Sequence, residues 1–169
     1  MTDLGGTMKT LILYYSQARG NTRRIARMIQ KYTGANIAEI ETVVSYTGSY
    51  DDIVNQGQEE VNSGFMPEIK PLSVNLSDYD RIILGTPTWW YTMAPAMKTF
   101  LNQYDLSEKN IILFQTHGGW EGHVFKDMKS MIKGNVTEEF AVQFDSTGGS
   151  QLITPIPEIE VWIRSIAND

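Results

Sequence analysis

The chain reads as a doubly wound α/β protein: a five-stranded parallel sheet covered by helices on both faces, in three layers α/β/α. Three observations predict it. Short runs of consecutive apolar residues alternate with segments whose apolar residues recur at helical spacing. Several of those runs are apolar at every position, as strands covered on two sides must be. The unusual loops, polar, aromatic or glycine-bearing, all follow strands, at the edge where such sheets hold ligands.

Lys9 to Tyr15 is the first strand, with Leu11 to Tyr15 nearly continuous in apolar character. Asn21 to Tyr32 is the first helix, its inner face marked by Ile25, Ala26, Ile29 and Tyr32, and Gly34 stops it. Asn36 to Thr42 is a second, weaker strand carrying Ile37 and Ile40. A turn over 46–49 leads to a helix whose face is Tyr50, Ile53, Val54, Gly57 and Val61, ending near Gly64. A long connection, Met66 to Ser77, precedes the third strand, Arg81 to Leu84.

The segment from Gly85 to Tyr91 reads as a loop, and Pro95 opens the next helix where proline costs least. Met97, Phe100, Leu101 and Tyr104 form its inner face. Asn110 to Gln115 is the fourth strand; Val124, Phe125, Met128, Met131 and Ile132 line the helix after it. Glu139 to Phe144 is the fifth strand. The loop 145–150 follows, then a final helix capped by Thr154, with Pro155 at its first position and Ile156, Ile159, Trp162, Ile163 and Ile166 inside.

With 169 residues, 41% hydrophobic and 20% charged, the chain suits one domain over residues 9–169, with 1–8 as a flexible leader containing Gly5-Gly6. A net charge of −6 and a pI near 4.9 argue against binding nucleic acid or anionic membrane. The absence of cysteine excludes disulfides, iron–sulfur clusters and thiol redox chemistry. No apolar run approaches the roughly 18 residues that span a bilayer. The N-terminus lacks a basic region followed by an apolar core, so a cytoplasmic location is expected.

Three loops converge on one sheet edge. After the first strand, Ser16, Gln17, Arg19, Gly20, Asn21 and Thr22 open a helix, whose free N–H groups and positive dipole end suit a phosphate. An ordinary turn capped by Asn21 or Thr22 would have the same composition. After the third strand come Pro87, Thr88, Trp89, Trp90, Tyr91 and Thr92; at least one of the two indoles is expected in the core. After the fourth come Thr116, His117, Gly118 and Gly119, where glycine permits close backbone approach. A phosphate site, flat aromatic walls and exposed amides together describe a mononucleotide with a large planar base, which a flavin fits.

On those residues the chain resembles the flavodoxin-like family. Gly20-Asn21-Thr22 matches the second half of its phosphate loop, and Gly85-Thr-Pro-Thr-Trp-Trp-Tyr-Thr-Met-Ala-Pro95 resembles the Pro-x-Trp-Trp segment of one bacterial branch. Thr116-His-Gly-Gly119 resembles that branch's third loop. The resemblance implies strand order 2-1-3-4-5, FMN as cofactor, and the short form of the fold. It implies electron transfer to a redox partner protein, or an FMN-dependent NAD(P)H:quinone-type oxidoreductase acting on a small acceptor. A cofactor-free interaction domain is the third possibility.

Trp90 or Tyr91 would stack on the isoalloxazine, and amides at 89–92 and 117–119 would meet its pyrimidine edge. His117 could protonate reduced flavin or bond to its own loop; His123 is a weaker candidate. Two departures stand out. Ser16 lies four residues before Gly20 where the family has three, so either the loop is longer or Gln17 takes the serine's place; Arg19 stands where Thr or Ser is usual. Tyr91 replaces a common Gly, and a left-handed backbone costs a tyrosine on the order of 1 kcal/mol. The one-electron-reduced flavin is therefore expected to be less stabilised than in electron-carrier flavodoxins.

Competing chemistries lack their residues. A receiver domain needs an aspartate after the third strand, where Gly85-Thr86 stands; neither a Gly-x-x-x-x-Gly-Lys loop nor a Gly-x-Ser-x-Gly elbow occurs.

Overall fold

The computed structural model describes residues 9–17 and 19–167; the expected leader, 1–8, lies outside them. Alternating burial builds the sheet. In β1 (Thr10–Tyr14), Leu11 and Leu13 face one layer and Ile12 and Tyr14 the other, and all four are buried. Its neighbours are β2 (Asn36–Glu39) and β3 (Arg81–Trp89), both parallel to it. A two-residue strand, β4 (Thr92–Met93), folds back antiparallel on the end of β3. Then come β5 (Asn110–His117) and β6 (Asn135–Gln143), whose pairing shifts register between Ile111 and Ile112. The path is β2-β1-β3-β5-β6. Its five long strands are parallel and stand in the expected order, with β4 as an addition.

Helices α1 (Asn21–Thr33) and α5 (Ile156–Ala167) cover one face, packing Ile25, Ile29, Ile159 and Ile163 on Ile12, Ile83, Ile112 and Phe114. On the other face α3 (Pro95–Gln103) and α4 (Val124–Met131) bring Met97, Phe100, Val124 and Met128 onto Leu11, Leu13, Ile82, Leu84 and Leu113. Helix α2 (Tyr50–Ser63) lies on that side too, beside β3 and α3, yet buries only Gly57 and Glu60. At the amino-terminal ends of the strands the buried Arg81 donates to Thr10 Oγ1 (3.0 Å) and to the Ile166 carbonyl (2.8 Å), meeting the negative end of α5. No helix among the described residues is long and apolar enough to cross a membrane.

Several boundaries differ from the sequence reading. The second strand stops at Glu39, and Thr42 instead bridges Ile69 in an isolated pair. The third strand runs past Leu84 through Gly85, Pro87 and Trp89, because pairing with β5 continues to Pro87↔Thr116. β1 pairs only as far as Gly85, so beyond it β3 has a free edge, where proline is tolerated. β6 begins at Asn135, ahead of the expected Glu139. Thr154 does not serve the last helix as expected, since its hydroxyl accepts from the Gln143 amide at 2.7 Å.

Gly85 pairs with Phe114 across β3 and β5, and the phenyl ring lies over the space a side chain would fill. A Cβ at position 85 would stand 2.0 Å from Phe114 Cζ. Gly85→Ala is therefore expected to destabilise the fold by about 1–3 kcal/mol through overpacking. Urea denaturation should show Phe114→Leu recovering part of that loss in the double variant.

Candidate functional site

The first loop starts its helix on an N-cap that has no side chain. Gly20 occupies the N-cap of α1 in the left-handed region, φ 71°, with no side-chain cap, and Asn21 and Thr22 are already helical. Their amides precede any carbonyl of their own helix. Ser16 is buried, and its hydroxyl accepts from the Arg23 amide at 3.2 Å, so it serves the helix from inside. The Asn21 side chain donates from Nδ2 to the Gly149 carbonyl at 3.0 Å. Thr22 and Thr116 share a buried hydroxyl–hydroxyl bond of 2.8 Å that ties this loop to the end of β5. Gln17 accepts from the Tyr15 hydroxyl, and the Arg19 guanidinium lies 5.9 Å from the Tyr50 ring centroid.

The second loop is a hairpin turn. Trp90 and Tyr91 sit between the paired residues Trp89 and Thr92 with φ of 48° and 71°. Positive φ at both centres is the geometry that normally selects Asn-Gly. The expected cost to Tyr91 is thus incurred in this structure, because a two-residue return of the strand demands it. The Tyr91 carbonyl is held by the His123 amide at 2.7 Å. Thr92 donates to Asp127 Oδ2 at 2.6 Å, and the same oxygen meets His123 Nδ1.

The two indoles differ: Trp89 is half-buried against the core and Trp90 is exposed. Trp89 packs edge-on against Tyr15 and Tyr46, with centroids 6.0 and 5.2 Å away. It also lies so close to α2 that a Cβ on Gly57 would stand 3.0 Å from its ring. Trp90 is 37% exposed and donates its indole N–H to the Val54 carbonyl at 2.9 Å. The core role falls to Trp89 and the open wall to Trp90.

In the third loop, the Gly119 amide donates to His117 Nδ1 at 3.0 Å. That assigns the ring proton to Nε2 in the neutral imidazole. Burial holds the His117 pKa below its ordinary value, against a smaller opposing pull from Glu121. Of the two roles considered for His117, the bond to its own loop is therefore present. Next to it stands Trp120, 64% exposed and unmarked by the sequence reading.

The three loops enclose a cavity of about 280 Å³ at the carboxyl ends of β1, β3 and β5. Gln17, Arg19, Asn21 and Thr22 line it from the first loop. Pro87, Thr88, Trp89 and Trp90 line it from the second, and Thr116, His117 and Gly118 from the third. Ser16, Gly20, Tyr91, Thr92 and Gly119 do not reach it. Tyr91 instead shares an adjoining slot with Thr88, Trp90, Gly118 and Trp120.

Two walls were not anticipated. The face Tyr50, Ile53, Val54 and Gly57 of α2, whose period reads as core, lines the cavity. Phe144, Asp145, Gly148 and Gly149 line it as well, with Gly148 lying against the Tyr50 ring of α2. Asp145 organises that loop by accepting from the amides of Thr147, Gly149 and Gln151 and from the Thr147 hydroxyl. Those bonds hold its carboxyl below the usual range. Among the described residues no group of three or more histidines, cysteines or carboxylates could hold a metal.

A crevice at the point where strand order reverses, with helix amides at one end and aromatic walls at the other, defines a doubly wound α/β protein of the ligand-binding kind. The sequence model of the flavodoxin family matches residues 9–150, and the chain belongs to that family. A flavodoxin from Buchnera aphidicola is 29% identical over 84 residues, covering 50% of this chain and 34% of that protein. Flavodoxin 1 of Salmonella typhimurium is 27% identical over 106 residues, 60% of this chain and 46% of that one. The chain thus matches less than half the length of these two relatives.

Solved structures share the fold. A putative flavoprotein from Bacteroides uniformis superposes with a TM-score of 0.74 at 24% identity, over 94% of this chain and 99% of its own. A flavoprotein from Lactobacillus acidophilus, determined in complex with FMN, gives 0.69 at 23% identity over 80% and 93%.

Two outcomes check this geometry. Asp145 stabilises its loop when ionised, so the loop bonds should persist down to about pH 4 and be lost as pH falls through the lowered pKa. Amide exchange at Gly149 and Gln151 measured against pH should show that step, and Asp145→Asn should bring fast exchange to neutral pH. Tyr91→Gly should raise stability by about 1 kcal/mol by relieving the left-handed φ. An unchanged urea midpoint would contradict the strain.

Proposed function

We propose that this chain binds FMN in the cavity and mediates electron transfer to a redox partner. The observation that carries the reading is the pairing, in one crevice, of the uncapped first turn of α1 with the apolar wall of Ile53, Val54 and Trp90. The donor set fits a phosphorylated flavin. Asn21 and Thr22 amides, with Arg19 and Gln17 beside them, would hold the phosphate at the positive end of the helix dipole. Trp90, pinned by Val54, would cover the flat ring, and Trp120 stands free to cover its other face. His117 presents Nε2–H and Thr88 lines the same space, so both would orient the ring's polar edge. The Thr22–Thr116 bond keeps the phosphate end and the ring end at a fixed separation.

Bound FMN would supply the redox chemistry, and the protein would set its potential and its access. An acidic chain disfavours extra negative charge on the reduced ring and so lowers that potential.

A second reading, an NAD(P)H:quinone-type oxidoreductase, is favoured by the slot between Trp90, Tyr91 and Trp120, whose aromatic rim suits a second flat molecule. Steady-state assay separates the two: NAD(P)H oxidation by the purified flavoprotein only when a quinone is added selects the enzyme.

Titration with FMN is expected to give a yellow complex of micromolar affinity or tighter. Riboflavin, lacking the phosphate, should bind at least about tenfold more weakly, a loss of about 1.4 kcal/mol. Equal affinity for the two would remove the phosphate seat from the argument. Trp90→Ala should weaken FMN binding and restore much of its fluorescence.

A further inference from the structure

Helix α1 is charged against its own interest. Arg19, Arg23, Arg24, Arg27 and Lys31 fall on or just before it, and the helix contains no acidic residue. The whole chain carries −6, so with these five cations set aside the remainder carries −11. Arg23/Arg27 and Arg27/Lys31 are like-charge pairs four apart within the helix, a spacing that destabilises it. Arg23 and Arg24 also stand in the first turn, where the dipole is positive and anions belong.

Among the described residues Arg23 alone of the five has a carboxylate partner, Glu39 at 2.6 Å. Arg24 reaches the Ser150 carbonyl at 3.4 Å, and it, Arg27 and Lys31 are exposed without a carboxylate partner among the described residues. Lys31 suits the last turn and Arg24 also lies 6.0 Å from the Phe144 ring centroid, but Arg27 has no such return among the described residues, and a local rule broken there marks a surface used by something else. The stripe lines a shallow concavity about Gly20, on the outer side of the anion seat, and Arg19 belongs to both this concavity and the cavity.

We propose that the exposed face of α1 docks an acidic surface of a partner protein. This rests on the electron-transfer reading and names the partner's charge. The row extends along the helix from Arg24 to Lys31, away from the cavity, as suits carboxylates spread over a protein face. An acidic chain with one basic stripe has a strong charge asymmetry. Long-range steering would turn the α1 side, and with it the loop at Gly20, toward a negative partner and the rest of the molecule away.

The test uses FMN-loaded protein and a rhodamine-labelled ten-residue polyglutamate peptide, read by fluorescence anisotropy. At about 10 mM ionic strength the peptide should bind, and its affinity should fall at least about tenfold by 150 mM as the Debye length shrinks. Arg24→Glu with Arg27→Glu should abolish binding, whereas Lys126→Glu with Lys133→Glu, on the opposite layer, should leave it within about twofold. Arg24→Gln with Arg27→Gln, milder for the helix, should lie between.

Circular dichroism and FMN uptake should be unchanged in all of these variants, since none of the four positions lines the cavity. Absence of peptide binding at low salt, or equal loss in both reversals, overturns the docking surface. NADPH bound in place of the peptide makes the occupant a nucleotide and also overturns it. So does self-association at low salt that the α1 reversal removes. A protein that captures the peptide but no FMN leaves the surface standing and fails the cofactor reading alone.

Discussion

Strands β1 and β3 lie side by side in register from Thr10↔Arg81 to Tyr14↔Gly85, and the chain leaves them in opposite directions. After β1 it turns through Gly20 into α1 on one face; after β3 it turns through Trp90 and Tyr91 toward the helices of the other. A crevice must open between two such departures, and its floor is strand ends whose backbone is already satisfied. Every feature of the site is a way of walling that crevice. The Thr22–Thr116 bond fixes its width, α2 supplies an apolar side, and the Asp145 loop closes the rest.

Much of this was legible in the residues, for identifiable reasons. Strands buried on both faces show themselves as apolar runs, so the doubly wound order could be expected from Leu11–Tyr15, Arg81–Leu84 and Asn110–Gln115. The loops that touch the cavity announce themselves by residue types that would be wasted in a core. Where the reading fell short, the signal was non-local. Gly149 approaches Asn21 across 128 residues of sequence, and nothing in either segment records the other. The stripe Tyr50, Ile53, Val54, Gly57 has a helical period that says only that one face is apolar. Whether core or ligand covers that face depends on how α2 sits over Trp89. Trp120 was findable, as an aromatic directly after the named Gly118-Gly119 turn, three residues past His117.

The split between Trp89 and Trp90 shows the same limit at single-residue scale. Adjacent side chains on a strand must point to opposite sides. Composition cannot say which one goes inward, and the pleat assigns Trp89 to Tyr15 and Tyr46. Trp90 lies one position further, in the turn itself, where it is free of the pleat and is held instead by the Val54 carbonyl.

Gly20 gives α1 an N-cap without a side chain, and Ser16 meets the Arg23 amide but not those of Asn21 and Thr22. Those two are left for an outside partner: an anion that settles on them binds the folded chain and has no equivalent seat on the unfolded one. Mass action then links melting to supply, by about 2.7 kcal/mol when the free anion stands at a hundred times its dissociation constant. In a cell short of that anion the protein would be the softer form of itself, more open to proteolysis at this corner. Its abundance would track its ligand as a gauge tracks pressure.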